Sequence, residues 1–265
     1  MEDSKKVLAD LNEATDQILT AFQNLDNWGP SGQRSDQYNS DVVADKAATK
    51  SLLSAGYRVL SEESESLDGE GLIVVVDPLD GSTNASRNLP WFATSLCVVD
   101  EEGPWVSLVV DLVHSVRYEA IRGQGAYKDG QQLLWKDNPQ LSQSIIGISG
   151  LPPQNPGWAQ FRSFGAIALD LCAVAEGKLD GFIDCSTDAH GVWDYLGASL
   201  ICSEVGIEVV DYSGRDLCVL DRTARRTPVA GVGDLAEELL DFRKGFWHEF
   251  RAIELFPSRA CSSVG

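Results

Sequence analysis

The chain contains no C-x-x-C pair: its six cysteines, Cys97, Cys172, Cys185, Cys202, Cys218 and Cys261, are scattered through 265 residues. Most of the six sit in apolar runs, where they read as small buried hydrophobes with free thiols. No stretch approaches the roughly 18 apolar residues of a membrane span. Met1 to Lys6 is charged and no apolar run follows, so no signal peptide is expected and a cytoplasmic location is. Bases are scarce, 21 Lys and Arg against 40 Asp and Glu, for a formal charge of −19. Nucleic-acid backbones and anionic membranes are therefore poor partners, and an anionic substrate would need bound cations to admit it. The three histidines, His114, His190 and His248, share no metal-ligand spacing. Of these only His190, shortly before Trp193-Asp194, is placed to touch a ligand. Gly231 to Ala236 fits G-x-G-x-x-A but comes too near the end for a βαβ unit with a ribose-binding acid. No internal repeat or low-complexity tract is visible.

What the chain does have is the run Val74-Val75-Val76-Asp77-Pro78-Leu79-Asp80-Gly81-Ser82-Thr83-Asn84. Leu72 to Val76 is long enough for one buried strand and too short for a buried helix. Pro78 fixes φ and removes a donor, which predicts that the strand ends at Asp77, at the carboxyl end where open α/β sheets place ligands. Asp80 returns to the same spot, with the Leu79 carbonyl between the two acids. Hard divalent cations take such oxygens. Gly81 allows close backbone approach, and the amides that follow can point at an anion. An EF-hand loop is excluded, because its alternate oxygen positions fall on Leu79 and Gly81 and its twelfth on Asn88.

Other acids stand at element boundaries. Glu62-Glu63-Ser64 follows the short apolar segment Tyr57 to Leu60. Trp193-Asp194-Tyr195 opens an amphipathic stretch ending at Gly206, and Ser40-Asp41-Val42-Val43-Ala44-Asp45-Lys46 starts another. Carboxylates converging without cations would repel by about 4 kcal/mol per close pair at an effective dielectric near 20, so convergence implies metal.

The D-P-L-D-G-S-T-N run, the S-E-E-S segment, the W-D pair before a helix ending E-V-G and the upstream D-V-V-A-D-K together resemble the inositol monophosphatase family of Mg²⁺-dependent, lithium-sensitive phosphatases. The resemblance spans roughly Asp41 to Gly206. It implies that Glu62, Asp77, Asp80 and the Leu79 carbonyl bind the first metals and that Asp194 joins the two aspartates at a further site. Two or three Mg²⁺ are implied, with Mn²⁺ able to substitute. Ser82 falls where the family usually has a threonine that orients the attacking water. Asp45 matches the acid paired with that hydroxyl, at a spacing from Asp41 one residue shorter than the family's D-x-V-T-x-x-D. The Gly81, Ser82 and Thr83 backbone would hold the phosphate, with Glu63 beside Glu62 as a helper. Arg162 to Asp170 resembles the family's R-S-x-G-x-x-A segment, so Gly165, Ala166 and Ile167 would touch the organic part of the substrate. Asp184 and Asp194 would meet substrate hydroxyls. A homodimer is also implied.

Phosphate monoesters need charge neutralisation more than covalent help, and no Ser, Cys or Asp here is paired with an evident base, so direct attack by a metal-activated water is expected rather than a phosphoenzyme. The expected substrate is a small phosphorylated metabolite. S-T-N after D-G favours inositol monophosphate over fructose 1,6-bisphosphate, the main competitor. A silent protein that binds metal or phosphometabolite without turnover is the alternative of a different class.

The expected fold is a layered α/β sandwich of the sugar-phosphatase type, with an N-terminal α+β metal-binding lobe over 1–140 and a C-terminal α/β lobe over 141–265. Val7, Leu8, Leu11, Ile18, Leu19 and Phe22 recur at helical spacing, as do Val43, Ala47 and Leu53. Trp28 to Asn39 reads as a loop able to cover the metals. Phe92 to Leu134 reads as successive antiparallel strands with turns at 101–103 and 128–130. Beyond it the pattern predicts helices at about 165–176, 194–204 and 234–244 and strands at 181–184, 207–211 and 228–232.

Overall fold

The apolar spacing near the amino terminus is realised as two helices, α1 (Ser4–Gln23) and α2 (Asn39–Ser54), which bury Val7, Leu11 and Ile18 against Ala44, Ala48 and Leu52. The computed structural model describes residues 4–34, 37–135 and 139–253, with the side chains of 247–253 excepted. Beneath the two helices lies an eight-stranded sheet in the order β2-β1-β3-β4-β5-β6-β7-β8. Its strands are β1 (Arg58–Ser61), β2 (Glu65–Ser66), β3 (Ile73–Asp80), β4 (Ala93–Asp100), β5 (Gly103–Asp111), β6 (Val116–Ile121), β7 (Gly125–Lys128) and β8 (Gln131–Gln132), with the short helix α3 (Ser82–Ser86) after β3. From β3 to β8 the pairing is antiparallel, as expected over 92–134, while β1 and β3 run parallel.

Side chains alternate between the two faces of a strand, and β3 shows why its run is apolar throughout. Val74 and Val76 pack against the α1/α2 side, and Val75 against the opposite side. That opposite side is a second helical layer, α4 (Ile167–Ala175) and α5 (Val192–Glu204), buried almost along its whole length. A five-stranded sheet covers it in turn, in the order β10-β9-β11-β13-β12. Its strands are β9 (Ile145–Ser149), β10 (Gln160–Arg162), β11 (Gly181–Asp184), β12 (Glu208–Asp211) and β13 (Pro228–Gly231). On its far face Ile146, Ile148, Ile183 and Val229 pack with Leu235 and Leu239 of α6 (Gly233–Ile253). The result is helix, sheet, helix, sheet and helix in layers, a layered α/β arrangement of the expected class. Cys97, Cys172 and Cys202 are buried within it, and together with Cys185 and Cys218 they are free thiols; Cys261 and the side chain of His248 lie outside the described residues.

Two expectations need correction. Pro78 does not end β3: pairing with β4 breaks after Asp77–Ser95 and resumes at Asp80–Ala93, so Pro78 and Leu79 occupy an irregularity within the strand. A proline is tolerated where the ladder is already interrupted. Residues 145–149 and 160–162, not anticipated as strands, form the parallel pair β9/β10. Ile145 to Ser149 is too short for a periodicity to stand out, and the exposed β10 carries almost no apolar pattern.

Candidate active site

The interruption in β3 decides where the two aspartates go. Asp77 Oδ1 accepts the Leu79 N–H at 2.9 Å, while Thr94 Oγ1 donates to the Asp77 carbonyl at 3.1 Å. Asp80 Oδ2 accepts the Ala168 N–H in the first turn of α4 at 2.7 Å, joining the first sheet to the second helical layer. Gly81 then takes φ 87°, and a Cβ there would meet the Trp91 carbonyl at 3.0 Å and Ala166 at 3.1 Å, so only glycine fits without displacement. Asn84 Nδ2 donates to the carbonyls of Trp91 and Phe164, fixing α3 against the chain that leads into α4.

Two further acids are placed by helix starts. Asp41 is the third residue of α2 and its Oδ2 accepts the Tyr38 N–H at 2.7 Å; Asp194 is the third residue of α5 and its Oδ2 accepts the Gly191 N–H at 2.7 Å. In each the carboxylate reaches back to the residue before the helix, in the manner of a capping box.

Glu62, Asp77, Leu79, Asp80, Gly81 and Asp194 line one cavity of about 410 Å³ together with Gly165, Ala166, Ile167, Asp170, Ser149 and His190. Crowding leaves its mark on their protonation. Burial first, and then the neighbouring acids, holds the Glu62, Asp77 and Asp80 carboxyls well above the ordinary carboxylate range. For Glu62 the acids are Asp194, Glu63, Asp41 and Asp80; for Asp77 they are Glu62, Asp80 and Asp194. Burial also pushes Asp41 up to about 6 and Asp170 up to about 7, against the Trp91 Nε1–H, which donates to Asp170 at 2.9 Å. His190 faces the acids from the far wall. Burial disfavours its charge, but Asp194, at 3.5 Å from Nδ1, and Asp184, at 3.6 Å from Nε2, raise it to about 9.

This donor set suits a hard cation: carboxylates and a backbone carbonyl around a polar cavity, with the acids raising one another's proton affinity until positive charge intervenes. Among the described residues no three His, Cys, Asp or Glu side chains are gathered closely enough to hold a metal ion by themselves. Asp77, Asp80 and Asp194 each spend one oxygen on a backbone N–H and retain the other. Those remaining oxygens are the ones a cation would take, together with water or a ligand.

Two expected site residues, Asp45 and Asp184, lie elsewhere, and neither Ser82 nor Thr83 is in the cavity lining. Asp45, expected beside the Ser82 hydroxyl, lies a turn further along α2, 3.0 Å from Ser64 Oγ and 3.4 Å from Thr49 Oγ1. Asp41 takes its place: its buried Oδ1 has no hydrogen-bond partner and the neighbouring Ser82 hydroxyl lowers its proton affinity. Ser82 itself donates to the Leu79 carbonyl at 2.8 Å. The signal for Asp41 was masked because Tyr38, not Ser or Thr, precedes α2, hiding the cap pattern. Asp184, expected to meet a substrate hydroxyl, is fully buried behind His190 and outside the cavity lining. Thr83 stands beside the cavity, its hydroxyl 3.2 Å from Tyr38 Oη. Asp170 and Ser149 were not anticipated; nothing in their local sequence marks them, since only the packing of α4 and β9 turns them toward the cavity.

The inositol monophosphatase family profile matches residues 32–240. A protein of Methanocaldococcus jannaschii named fructose-1,6-bisphosphatase/inositol-1-monophosphatase is 32% identical over 196 residues, covering 71% of this chain and 75% of that one. A Pasteurella multocida protein named Nus factor SuhB is 27% identical over 220 residues, covering 74% and 80%. Among solved structures, an inositol monophosphatase-fructose 1,6-bisphosphatase superposes with a TM-score of 0.75 at 26% identity, covering 91% of this chain and all (100%) of that one. The Staphylococcus aureus inositol monophosphatase II superposes at 0.74 with 23% identity, covering 95% and 97%, and supports the fold alone. With the profile spanning most of its length and the acids of the D-P-L-D-G, S-E-E-S and W-D segments gathered on one cavity, the chain belongs to the inositol monophosphatase family.

Proposed function

We propose that the protein is a Mg²⁺-dependent phosphomonoesterase acting on a small polyol or sugar phosphate, with inositol monophosphate the first candidate and fructose 1,6-bisphosphate the alternative. One observation carries this reading: Glu62, Asp77, Asp80, Asp194 and the Leu79 residue, far apart in sequence, line the same cavity. Bound among these oxygens, Mg²⁺ or Mn²⁺ would supply charge neutralisation, an acidified water and stabilisation of the leaving alkoxide.

The chain's own residues have separate tasks. The Gly81, Ser82 and Thr83 backbone would hold the phosphate where Gly81 alone permits close approach. Ser82 would aim the attacking water, and Asp41, with an unpartnered Oδ1 and an affinity raised to about 6, would take up its proton through that hydroxyl. Gly165, Ala166 and Ile167 would contact the organic part. His190 would stand between substrate and the buried Asp184. We further propose lithium inhibition, a homodimer and a cytoplasmic setting as the family would suggest; no helix among the described residues is long and apolar enough to cross a membrane.

Phosphate release from inositol, fructose, histidinol and adenosine phosphates, with and without Mg²⁺ and Li⁺, tests both class and substrate. Release that needs Mg²⁺ and falls with Li⁺ is the expected result. No release from any ester would leave the silent metabolite-binding alternative.

A further inference from the structure

Every residue of α4 is buried, and Asp170, only 2% exposed, is the one acid among them. A carboxyl in such a place is unfavourable unless its oxygens find hydrogen bonds. Trp91 supplies one, its Nε1–H donating to Oδ1 at 2.9 Å, and Oδ2 has no hydrogen-bond partner among the described residues. Asp170 nevertheless lines the cavity. The partner that Oδ2 lacks is therefore one that a ligand can bring.

The position of Asp170 along α4 says which part of a ligand reaches it. The start of the helix touches the metal-type acids, since the Ala168 N–H donates to Asp80 Oδ2. The Asp170 N–H closes the first turn onto the Ala166 carbonyl at 3.0 Å, and Ala166, Ile167 and Asp170 all line the cavity. Asp170 thus stands four residues, ~6 Å at about 1.5 Å per residue, beyond Ala166 along the helix axis. A phosphate held beside Asp77 and Asp80 sends its organic part along this turn. The carboxyl is fixed to meet it: the Trp91 ring packs on Phe164 with centroids 4.6 Å apart, and its carbonyl accepts Asn84 Nδ2 at 2.8 Å. Asp184, the acid that the family resemblance gives to a substrate hydroxyl, lies behind His190, whose Nε2 is 3.3 Å from Ser149 Oγ.

On the phosphatase reading above, we infer that Asp170 is the specificity-determining residue of the site: its Oδ2 hydrogen-bonds a hydroxyl of the substrate's organic part, in place of Asp184. The favoured substrates are then hydroxylated esters, polyol or sugar phosphates, over phosphate esters without hydroxyls. Burial pushes the Asp170 carboxyl up to about 7. Ionised it accepts the hydroxyl proton and protonated it donates to the hydroxyl oxygen, so the contact holds in either form.

The test compares inositol 1-phosphate or fructose 1-phosphate, whichever has the lower KM on the wild type, with phenyl phosphate, which has the same phosphoryl group and no hydroxyl. Asp170→Ala should raise the KM of the hydroxylated ester at least about tenfold more than that of phenyl phosphate, the loss expected of one hydrogen bond to a charged group, with kcat for that ester changed less than about threefold. Asp170→Asn keeps an oxygen for Trp91 and an amide for the hydroxyl, and should show a smaller rise of the same kind, about threefold. Trp91→Phe keeps the ring on Phe164 and should leave most of the wild-type difference between the esters in place. An equal rise on both esters would mean that Asp170 only holds Trp91 and would overturn the inference, as would an unmoved KM for the hydroxylated ester or hydrolysis of phenyl phosphate alone. Should Asp170→Ala fail to fold, seen as a lost melting transition, the threefold rise in Asp170→Asn decides by its presence or absence. Should no ester be hydrolysed, the phosphatase reading fails, and Asp170 is judged separately by calorimetric titration of inositol 1-phosphate in Mg²⁺. Binding that Asp170→Ala weakens about tenfold supports the inference; binding that the variant leaves unchanged, or none to the wild type, overturns it.

Discussion

Asp77 and Asp80 ride on an interrupted central strand buried on both faces, whereas Asp41 and Asp194 each sit three residues into a helix and hold its entering N–H. The strand acids are fixed by the sheet: their backbone cannot move without breaking the pairing of β3 with β4. The helix acids are fixed by their own side chains, so the same carboxylate that would serve chemistry also holds its helix start. The backbone of one pair is held by a sheet ladder as well as by its side-chain bonds; that of the other depends on the helix start its own carboxylate caps. The contrast explains how a cluster of mutually repelling acids persists, since backbone N–H groups anchor one oxygen on Asp77, Asp80, Asp41 and Asp194 alike.

The largest effect is expected at the strand. Asp77→Asn should lower Mg²⁺-dependent phosphate release by about 10³-fold, on the scale of losing a group aimed at transition-state charge. Its circular dichroism should match the wild type, and in EDTA it should melt higher, because one of the repelling charges is gone. Unchanged turnover would break the assignment. Asp194→Asn should cost about 10²-fold in turnover and, although it too removes a repelling charge, should melt below Asp77→Asn in EDTA, because its helix start is weakened by about 1 kcal/mol. If both variants changed stability alike, the distinction between strand-held and helix-held acids would fall.

The next comparison lies within α2. Asp41→Asn should reduce kcat by about 10²-fold through loss of the proton acceptor beside Ser82, while Asp45→Asn, one turn away and bound to Ser64, should change it less than about threefold. The reverse order would restore the pairing inferred from the sequence motif. The smallest effect concerns pH. Asp41 and Asp170 have folded-state affinities of about 6 and about 7 against an ordinary 3.8, so the folded protein binds more protons between those values than the unfolded chain. Their contribution to the stability of the metal-free protein is therefore full below about pH 4 and lost as pH rises through about 7. Millimolar Mg²⁺ should flatten that decline by binding the folded acids. A melting temperature that rises with pH in EDTA, or ignores Mg²⁺, would contradict the electrostatics of the cavity.

Much of the site was legible because its residues lie in short motifs with local physical meaning. A β-branched run, two aspartates spaced by Pro-Leu and a glycine announce a buried strand that brings oxygens to an open backbone, although the strand runs on to Asp80. Asp41 was less visible than Asp45 because the helix start carries Tyr38 in place of a hydroxyl cap. Asp170 and Ser149 carry no such local mark, and Asp184, expected at a substrate hydroxyl, is fully buried outside the cavity lining.

The sequence by itself determined the alternation of strands and helices, the acids at their boundaries and the family, since each follows from period, turn chemistry or a contiguous motif. Which acid faces Ser82, that β3 continues past Pro78, that His190 screens Asp184 and that Asp170 lines the cavity were decided only in three dimensions. Those facts depend on the stacking of two sheets about a shared helical layer, which brings together residues more than a hundred positions apart, as Arg222 and Glu62 are. No local propensity encodes a contact of that range.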